Sequence, residues 1–395
     1  MSKSILLGDP HCGKGFSIGK PGIGSSLNSR FSDQFNILEW VLSRAMELKA
    51  RRIIITGDVF DEVKPSSMLI ALFISWLKKC TDFDIDVHII TGNHDILRSG
   101  QFSMSALDII SACDMDGVFV YNDINTLNTA GATFTFMPFR DRRSFNTDSN
   151  TSALQIMQSK LQYELAGIDL NAAKIIVGHL AIEGSIPVGD EIDDMTNELF
   201  CPVPMFKGYD YTVMGHVHKP QVMSKSHYVA HIGSMDLSDF GEANHDKIIM
   251  VFDPESSHPL KTMEIPTRPL NQISISVPAD ISDTTSYVIK ELGDKYSDLN
   301  RSIVRLSVSF ENTELINMDR VAVENQLNKL GAFHVTRISE ERKLAPIKRN
   351  VVNDGINNTV NETTAIKMYA EVNIEDDMRN DFVALANQIV RECAE

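Results

Sequence analysis

The stretch Thr91-Gly92-Asn93-His94-Asp95 places an amide oxygen, an imidazole and a carboxylate directly after an apolar run, Val87 to Ile90. An apolar run ending in Gly-Asn reads as a buried strand that stops in a tight turn. In open α/β sheets, functional side chains gather at the carboxyl ends of strands. Asn93 has the oxygen to ligate a metal, and His94 has a proton to give. Taken alone, the stretch would serve equally well as a plain turn. Four more predicted strand ends carry groups of the same kind: Asp9 and His11 after Lys3–Leu7, Asp58 after Arg52–Thr56, His179 after Lys174–Val177, and His216 with His218 after Tyr211–Met214. A single histidine after a strand is more often a structural hydrogen-bond donor. Five strand ends that all carry ligand-type side chains beside glycine or proline turns point instead to a metal site.

Such a mixture of oxygen and imidazole ligands suits first-row divalent ions. Two ions about 3.5–4 Å apart clamp the attacking and leaving oxygens of an in-line phosphoryl displacement. Their mutual repulsion requires a shared anion, and the Asp58 carboxylate suits that bridging position. His94 directly follows Asn93, so a free imidazole stands beside the ions, able to stabilise or protonate the leaving oxygen.

The elements that must position these groups can be read in order. Lys3–Leu7 is a short buried strand, and Pro10 keeps Asp9 extended. Asp9 and His11, two apart on an extended segment, face one side. Cys12 to Asn28, rich in Gly, Ser and Lys, reads as a mobile loop; Gly13-Lys14-Gly15 lacks the spacing of a phosphate loop. Ser32–Lys49 is an amphipathic helix with Ser32 as its cap, and Pro65–Lys79 is a second helix. The order β-loop-α-β-α-β predicts a parallel sheet covered by helices. Ser103–Ala112 and Thr151–Ala166 read as further helices, and Phe119–Tyr121 and Thr133–Met137 as strands. Tyr228–Ile232 and Lys247–Phe252 read as strands completing a second sheet. Beyond Pro266 the strands Asn271–Val277, Ser302–Phe310 and Phe333–Ile338 alternate with helices Thr284–Tyr296 and Asp319–Leu330, as in a small α+β domain. Leu344 to Thr364 has no helical period and reads as a linker. Thr364–Glu371 and Glu375–Ala394 read as helices, the second with an apolar stripe of Met378, Phe382, Leu385, Ile389 and Val390. The expected domains are therefore 1–265, 266–342, a linker over 343–363, and a helical segment over 364–395.

Composition narrows the setting. A net charge of −16 repels phosphate backbones at long range, so affinity for DNA would need bound cations, local basic groups or a partner. Arg140, Arg142 and Arg143 form one short basic run, which is more often a solvated face. The five cysteines are odd in number, widely spaced and free of CxxC pairs, which fits a reducing cytosol. With no signal peptide and no apolar run of membrane-spanning length, the expected location is the cytoplasm, away from any membrane.

The motifs D-x-H, G-D, G-N-H-D, G-H and G-H-x-H occur in order as Asp9/His11, Gly57-Asp58, Gly92-Asn93-His94-Asp95, Gly178-His179 and Gly215-His216-Val217-His218. Over roughly the first 250 residues this set resembles the calcineurin-like binuclear metallophosphoesterases. Within them, Gly57-Asp58-Val59-Phe60-Asp61 and the stretch from Gly233 to Glu242 resemble the SbcD-type DNA-repair nucleases. The resemblance implies an α/β fold: a two-sheet sandwich flanked by helices, with a small α+β domain that caps DNA and C-terminal helices that dock a coiled-coil ABC-type ATPase of the SbcC kind. It implies two divalent ions, Mn²⁺ first, with Fe or Zn also suited to mixed His/Asp sites. One ion takes Asp9, His11, Asp58 and His218; the other takes Asp58, Asn93, His179 and His216. His94 is implied as the catalytic histidine, with Asp95 orienting it. Asp61 departs from the pattern, since some relatives carry a substrate-contacting histidine there.

The activity so implied is a DNA phosphodiesterase, a 3′–5′ exonuclease and single-strand or hairpin endonuclease acting in double-strand-break processing. Two rivals are a phosphoesterase of small substrates and a non-catalytic DNA-end scaffold that regulates its ATPase. Two further readings stay open. The apolar Met68–Leu77 helix, with Ser103–Ala112, either packs on the sheet or forms the face of a homodimer. The C-terminal stripe either folds back on its own domain or lies in a partner's groove.

Overall fold

Strict alternation builds the first sheet. In the strand Lys3–Leu7, Ile5 and Leu7 pack outward against helices while Leu6 packs inward between two sheets. The computed structural model describes residues 2–22, 27–99, 102–147, 149–169, 171–188, 198–311 and 317–342, and of the C-terminal stretch 366–367, 369–371, 374 and 378–394. The first sheet runs in the order Leu260–Glu264, Ile248–Phe252, Lys3–Leu7, Ala50–Ile55, Asp86–Ile90, Val118–Tyr121. Its last four strands are mutually parallel. The second sheet runs Gln221–Ser224, Tyr228–His231, Tyr211–Met214, Ala173–Gly178, Ala132–Met137, Asn125–Thr129.

The inner faces of the two sheets share one core, with Leu6, Ile54 and Ile90 against Phe134, Phe136, Val177 and Val213. Helices Ser29–Leu48 and Ser67–Asp82 cover the outside of the first sheet through Leu38, Val41, Phe73 and Trp76. Helix Asn150–Ala166 covers the second through Ala153, Met157 and Leu161. The result is the α/β sandwich of two sheets between helices.

Several elements differ from the sequence reading for local reasons. The first helix begins at Ser29, because the Asn28 side chain, not that of Ser32, accepts the N–H of Arg30. The second begins after Ser66, which caps Leu69 N. Ser103 is not helical. Phe102–Ser105 pairs with Ile96–Ser99 as a hairpin, and the helix starts only at Leu107. There Ser105 Oγ accepts from Leu107 N while the Asp108 carboxylate accepts from Ser105 N, which fixes the start. Ile248–Phe252 does not complete the second sheet; it runs antiparallel beside Lys3–Leu7 in the first. The described part of the loop after His11 is fastened down. Gln34 accepts from Gly13 N and donates to the carbonyls of His11 and Lys14.

Two units divide the chain, Met1–Lys343 and Leu344–Glu395. Within the first, the strands Leu270–Val277, Ile303–Phe310 and His334–Arg342 form a wholly parallel sheet. Helices Thr284–Lys295 and Arg320–Lys329 cross between them and close a separate apolar core around Ile273, Val288, Leu306 and Val323. In the second unit, the guanidinium of Arg379 at the head of helix Arg379–Ala394 donates to the carbonyls of Ala370 and Ile374. Met378, Leu385 and Ile389 stand more than half exposed. The linker expected over 343–363 lies outside the described residues. Among the described residues no helix is long and apolar enough to cross a membrane, and Cys12, Cys80, Cys113 and Cys201 are free thiols.

His88 sits between the sheets, stacked on Phe119 at 4.9 Å and bonded through Nδ1 to the Tyr121 hydroxyl at 2.9 Å. Burial, with Arg52 nearby, lowers its pKa to about 3 from 6.5. The folded protein therefore holds it neutral where the unfolded chain takes up a proton. Its contribution to stability is full above pH 6.5 and drains away as the pH falls toward 3. His88→Phe should remove that dependence. Urea unfolding of the ion-free protein is expected to show the parent losing about 2 kcal/mol more than the variant between neutrality and about pH 5; equal losses would refute it.

Candidate metal centre

Adjacent parallel strands deliver the two central carboxylates. Asp9 follows Lys3–Leu7 and Asp58 follows Ala50–Ile55; both are buried. The carboxyl ends of Asp86–Ile90, Ala173–Gly178 and Tyr211–Met214 bring Asn93 with His94, His179, and His216 with His218 to the same place. Three sets of side chains have ligand atoms within 4.8 Å of one another: Asp9, His11 and His218; His11, Asp58 and His94; Asp58, His179 and His216. Asn93 Oδ1 lies 2.9 Å from His179 Nε2 and 3.0 Å from His216 Nδ1, so it joins the third set. All eight strand-end groups singled out in the sequence meet in one cluster.

The backbone is bent to bring them there. His11, Asp58 and His216 have φ of 40°, 46° and 79°, a region that costs an L-residue roughly 1–2 kcal/mol. Each is held by a hydrogen bond to or from another member of the cluster. His11 N donates to Asp58 O at 2.9 Å, His216 N to Asp9 Oδ2 at 2.6 Å, and His94 N to Asp58 Oδ1 at 2.9 Å. Thr56 Oγ1 donates to Asp9 Oδ1 at 2.8 Å. Glycine is required beside the ligands. A Cβ on Gly215 would stand 2.2 Å from Asp9 Oδ1, and one on Gly92 would stand 2.0 Å from Asp58 Oδ1.

Every imidazole of the cluster but that of His11 is backed by an acceptor that selects its tautomer. His179 Nδ1 meets Thr56 O at 2.8 Å, turning Nε2 to Asp58 Oδ2 at 3.1 Å. His218 Nδ1 meets Glu242 Oε1 at 3.2 Å, and His11 Nδ1 lies 3.3 Å from Asp61 Oδ1. His216 is reversed: Glu198 takes its Nε2, leaving Nδ1 for the cluster. His94 Nδ1 meets Asp61 O at 2.8 Å. Asp95 meets the main chain instead, accepting from Val59 N at 3.1 Å and Gly92 N at 2.9 Å. It thus holds the turn that carries His94, while Asp61 O takes the His94 ring. Glu198, Lys247, Thr56 and the carbonyl of Asp61 were not singled out in the sequence, because only folding brings them behind the cluster. Phe139 packs edge-on to His179 at 6.3 Å, so it belongs to the wall of the centre. Its neighbour Arg140 pairs with Asp123 at 3.5 Å, Arg142 is exposed, and the side chain of Arg143 lies outside the described residues.

These residues fit divalent cations. His11 Nε2 and His218 Nε2 lie 3.0 Å apart, and His11 Nε2 is 3.4 Å from Asp58 Oδ2, so the two ring nitrogens converge beside a buried carboxylate. Burial lowers both pKa values, that of His218 to about 3, which favours the neutral rings that can ligate a cation. With Asp9 beside them, they could hold a cation between them. Burial raises the pKa of Asp9, and the Asp58 charge adds to the rise. Burial would raise Asp58 as well, but His179 and His11 together hold it well below the usual range. For His179, burial acts downward, yet Asp58 and Asp9 raise it to about 10. In the ion-free protein, His179 is therefore protonated at neutral pH and must lose that proton to ligate. Mn²⁺ added to ion-free protein in weak buffer should release at least about one proton per chain. Affinity should climb with pH below 10. Uptake without proton release, followed by a pH indicator, would contradict this.

The match to a family model agrees with the geometry. Residues 3–220 match the family model described as calcineurin-like phosphoesterase. The chain is similar to the SbcD subunit of nuclease SbcCD from Staphylococcus epidermidis, at 26% identity over 282 residues, covering 68% of this chain and 73% of that protein. A crystal structure of a dimetal phosphatase from Danio rerio aligns with a TM-score of 0.39 and 11% identity, covering 63% of this chain and 91% of the other. The family match spans more than half of the sequence and contains every residue of the cluster. This chain belongs to the calcineurin-like phosphoesterase family.

Proposed function

We propose that the chain is a two-metal DNA phosphodiesterase, the nuclease subunit of an ATPase–nuclease complex that processes DNA ends. The observation that carries this reading is the reach of the likeness to the staphylococcal SbcD protein. It covers 68% of the chain, whereas the family match ends at residue 220. Similarity past the phosphoesterase region favours a nuclease over a phosphatase of small substrates. The expected action is 3′–5′ exonucleolytic, with endonucleolytic cutting of single strands or hairpins.

In this reading Asp9, His11, Asp58 and His218 hold one ion and Asp58, Asn93, His179 and His216 hold the other, with Mn²⁺ the expected metal. When bound, the ions polarise the phosphate oxygens and offset the negative charge of the site. The chain's own residues do the rest. Asp61 O fixes the His94 ring through Nδ1, so that Nε2 is left to meet the scissile phosphate or its leaving oxygen. Asp95 keeps the Gly92–His94 turn closed, and the Phe139 ring packs beside the His179 and His216 rings.

The partner would be a coiled-coil ABC-type ATPase. The exposed Leu385 and Ile389 of the C-terminal helix, with Met378 just before it, suit a partner's apolar groove. Leu69, Phe73, Trp76 and Leu77 of helix Ser67–Asp82 are buried against the first sheet. Met68 and Ile109 remain exposed on this helix and the next, and would form the face of a homodimer. The expected location is the cytoplasm.

His94→Ala should lower Mn²⁺-dependent cleavage of linear duplex and hairpin DNA by about 10²–10⁴-fold while both ions still bind. Cleavage at the parental rate would remove His94 from the chemistry. Faster turnover of a cyclic nucleotide than of DNA by the parent protein would favour the small-substrate reading. Removing residues 364–395 should abolish co-purification with the ATPase and spare metal-dependent hydrolysis; retained co-purification would refute the docking role.

A further inference from the structure

The segment Asp236–Glu242 has two faces. One meets the metal centre. Glu242 is fully buried, with Oε1 3.2 Å from His218 Nδ1. Ser238 donates its hydroxyl to that oxygen at 2.7 Å, and Lys247 Nζ pairs with Oε2 at 2.8 Å. Lys247 is also buried, and its ammonium donates to His218 O at 3.0 Å and to Ser234 Oγ at 2.6 Å. One internal ion pair thus grips both the ring and the main chain of His218.

The opposite face meets the three-stranded sheet. Leu237 and Phe240 share an apolar cluster with Ile18, Leu270 and Ile303. The guanidinium of Arg305, on strand Ile303–Phe310, lies over the Phe240 ring at 4.2 Å. At the start of the segment, Asp236 accepts from buried Arg30 at 2.5 Å, and Arg30 also donates to Asp33 at 2.9 Å. Arg268 clasps Asp33 at 2.6 and 2.8 Å and stacks on Phe333 at 3.9 Å.

We infer that Glu242 is a positioning residue that orients His218 toward one of the two ions, and that the three-stranded unit holds Glu242 there through Phe240 and Arg305. The inference rests on the two-ion reading proposed above. A buried Glu–Lys pair serving the fold alone needs no imidazole. Here the carboxylate meets Nδ1 and turns the Nε2 lone pair into the cluster, as carboxylates behind metal-binding histidines do. Because the segment is clamped from both sides, a change at the distant Arg305 contact reaches His218 without touching any ligand.

The test is Mn²⁺ titration of the ion-free full chain by calorimetry, with melting curves of each ion-free protein recorded alongside. The parent should bind two ions; His218→Ala and His179→Ala identify which binding phase belongs to which site. Glu242→Gln should weaken the phase lost in His218→Ala by about 10–100-fold and leave the other unchanged. Arg305→Ala should weaken the same phase by a smaller factor, without loss of melting temperature in proportion. Equal weakening of both phases, or a lowered melting temperature with parental affinities, would overturn the positioning role. If Glu242→Gln does not fold, Arg305→Ala decides, and unchanged affinities there overturn the coupling. A parent protein that binds fewer than two ions would instead refute the two-ion reading itself.

Discussion

Two carboxylates buried at the ends of neighbouring parallel strands are the constraint on which the rest of the molecule depends. Asp9 and Asp58 are almost without solvent exposure. Burial raises the pKa of Asp9, and the Asp58 charge beside it adds to the rise. Such a pair persists only if positive charge or strong donors surround it. The protein supplies His179 against both carboxylates, Thr56 Oγ1 and His216 N against Asp9, and His94 N against Asp58. What these donors leave unbalanced suits divalent cations, which is the chemistry of the family.

The same need shapes the backbone. Three of the cluster residues adopt left-handed φ values, and the bonds that hold them there come from other cluster residues. The ligands therefore support one another's conformation, so the loss of one loosens its neighbours. The glycines Gly92 and Gly215 at the strand ends have a packing reason, since a methyl group at either would occupy space already filled by a ligand oxygen. The two-sheet core makes this possible. Inward packing of Leu6, Ile54, Phe136 and Val213 fixes the strand ends rigidly enough to hold strained loops in place.

Outside this centre, the molecule adds layers whose contacts return to it. Helix Ser29–Leu48 contributes Gln34 to the loop after His11 and Arg30 to Asp236. The three-stranded sheet carries its own core yet presses Leu270, Ile303 and Arg305 onto the segment behind His218. The ion pair of Arg268 with Asp33 ties the same regions together with little exposure of either partner. Asp33 is shared between Arg268 and buried Arg30, so this pair belongs to a small buried network rather than to the surface.

Local chemistry in the sequence is enough to mark the centre. An apolar run, a glycine or proline, and then a ligand-type side chain is a pattern written within a few residues, and five repetitions of it single out Asp9, His11, Asp58, Asn93, His94, His179, His216 and His218 without reference to a fold. Helical and strand periods likewise set out most of the two sheets and the smaller three-stranded one. What depended on distant partners was decided only by tertiary structure. Ile248–Phe252 reads as a strand in any register, but its place beside Lys3–Leu7 follows from which sheet edge was open to it. Residues 102–105 became a hairpin because Ile96–Ser99 was there to pair with. Glu198 lies 18 residues from His216 and Glu242 lies 24 from His218. No local pattern connects such pairs; a carboxylate becomes the support of an imidazole only when packing brings the two together out of water.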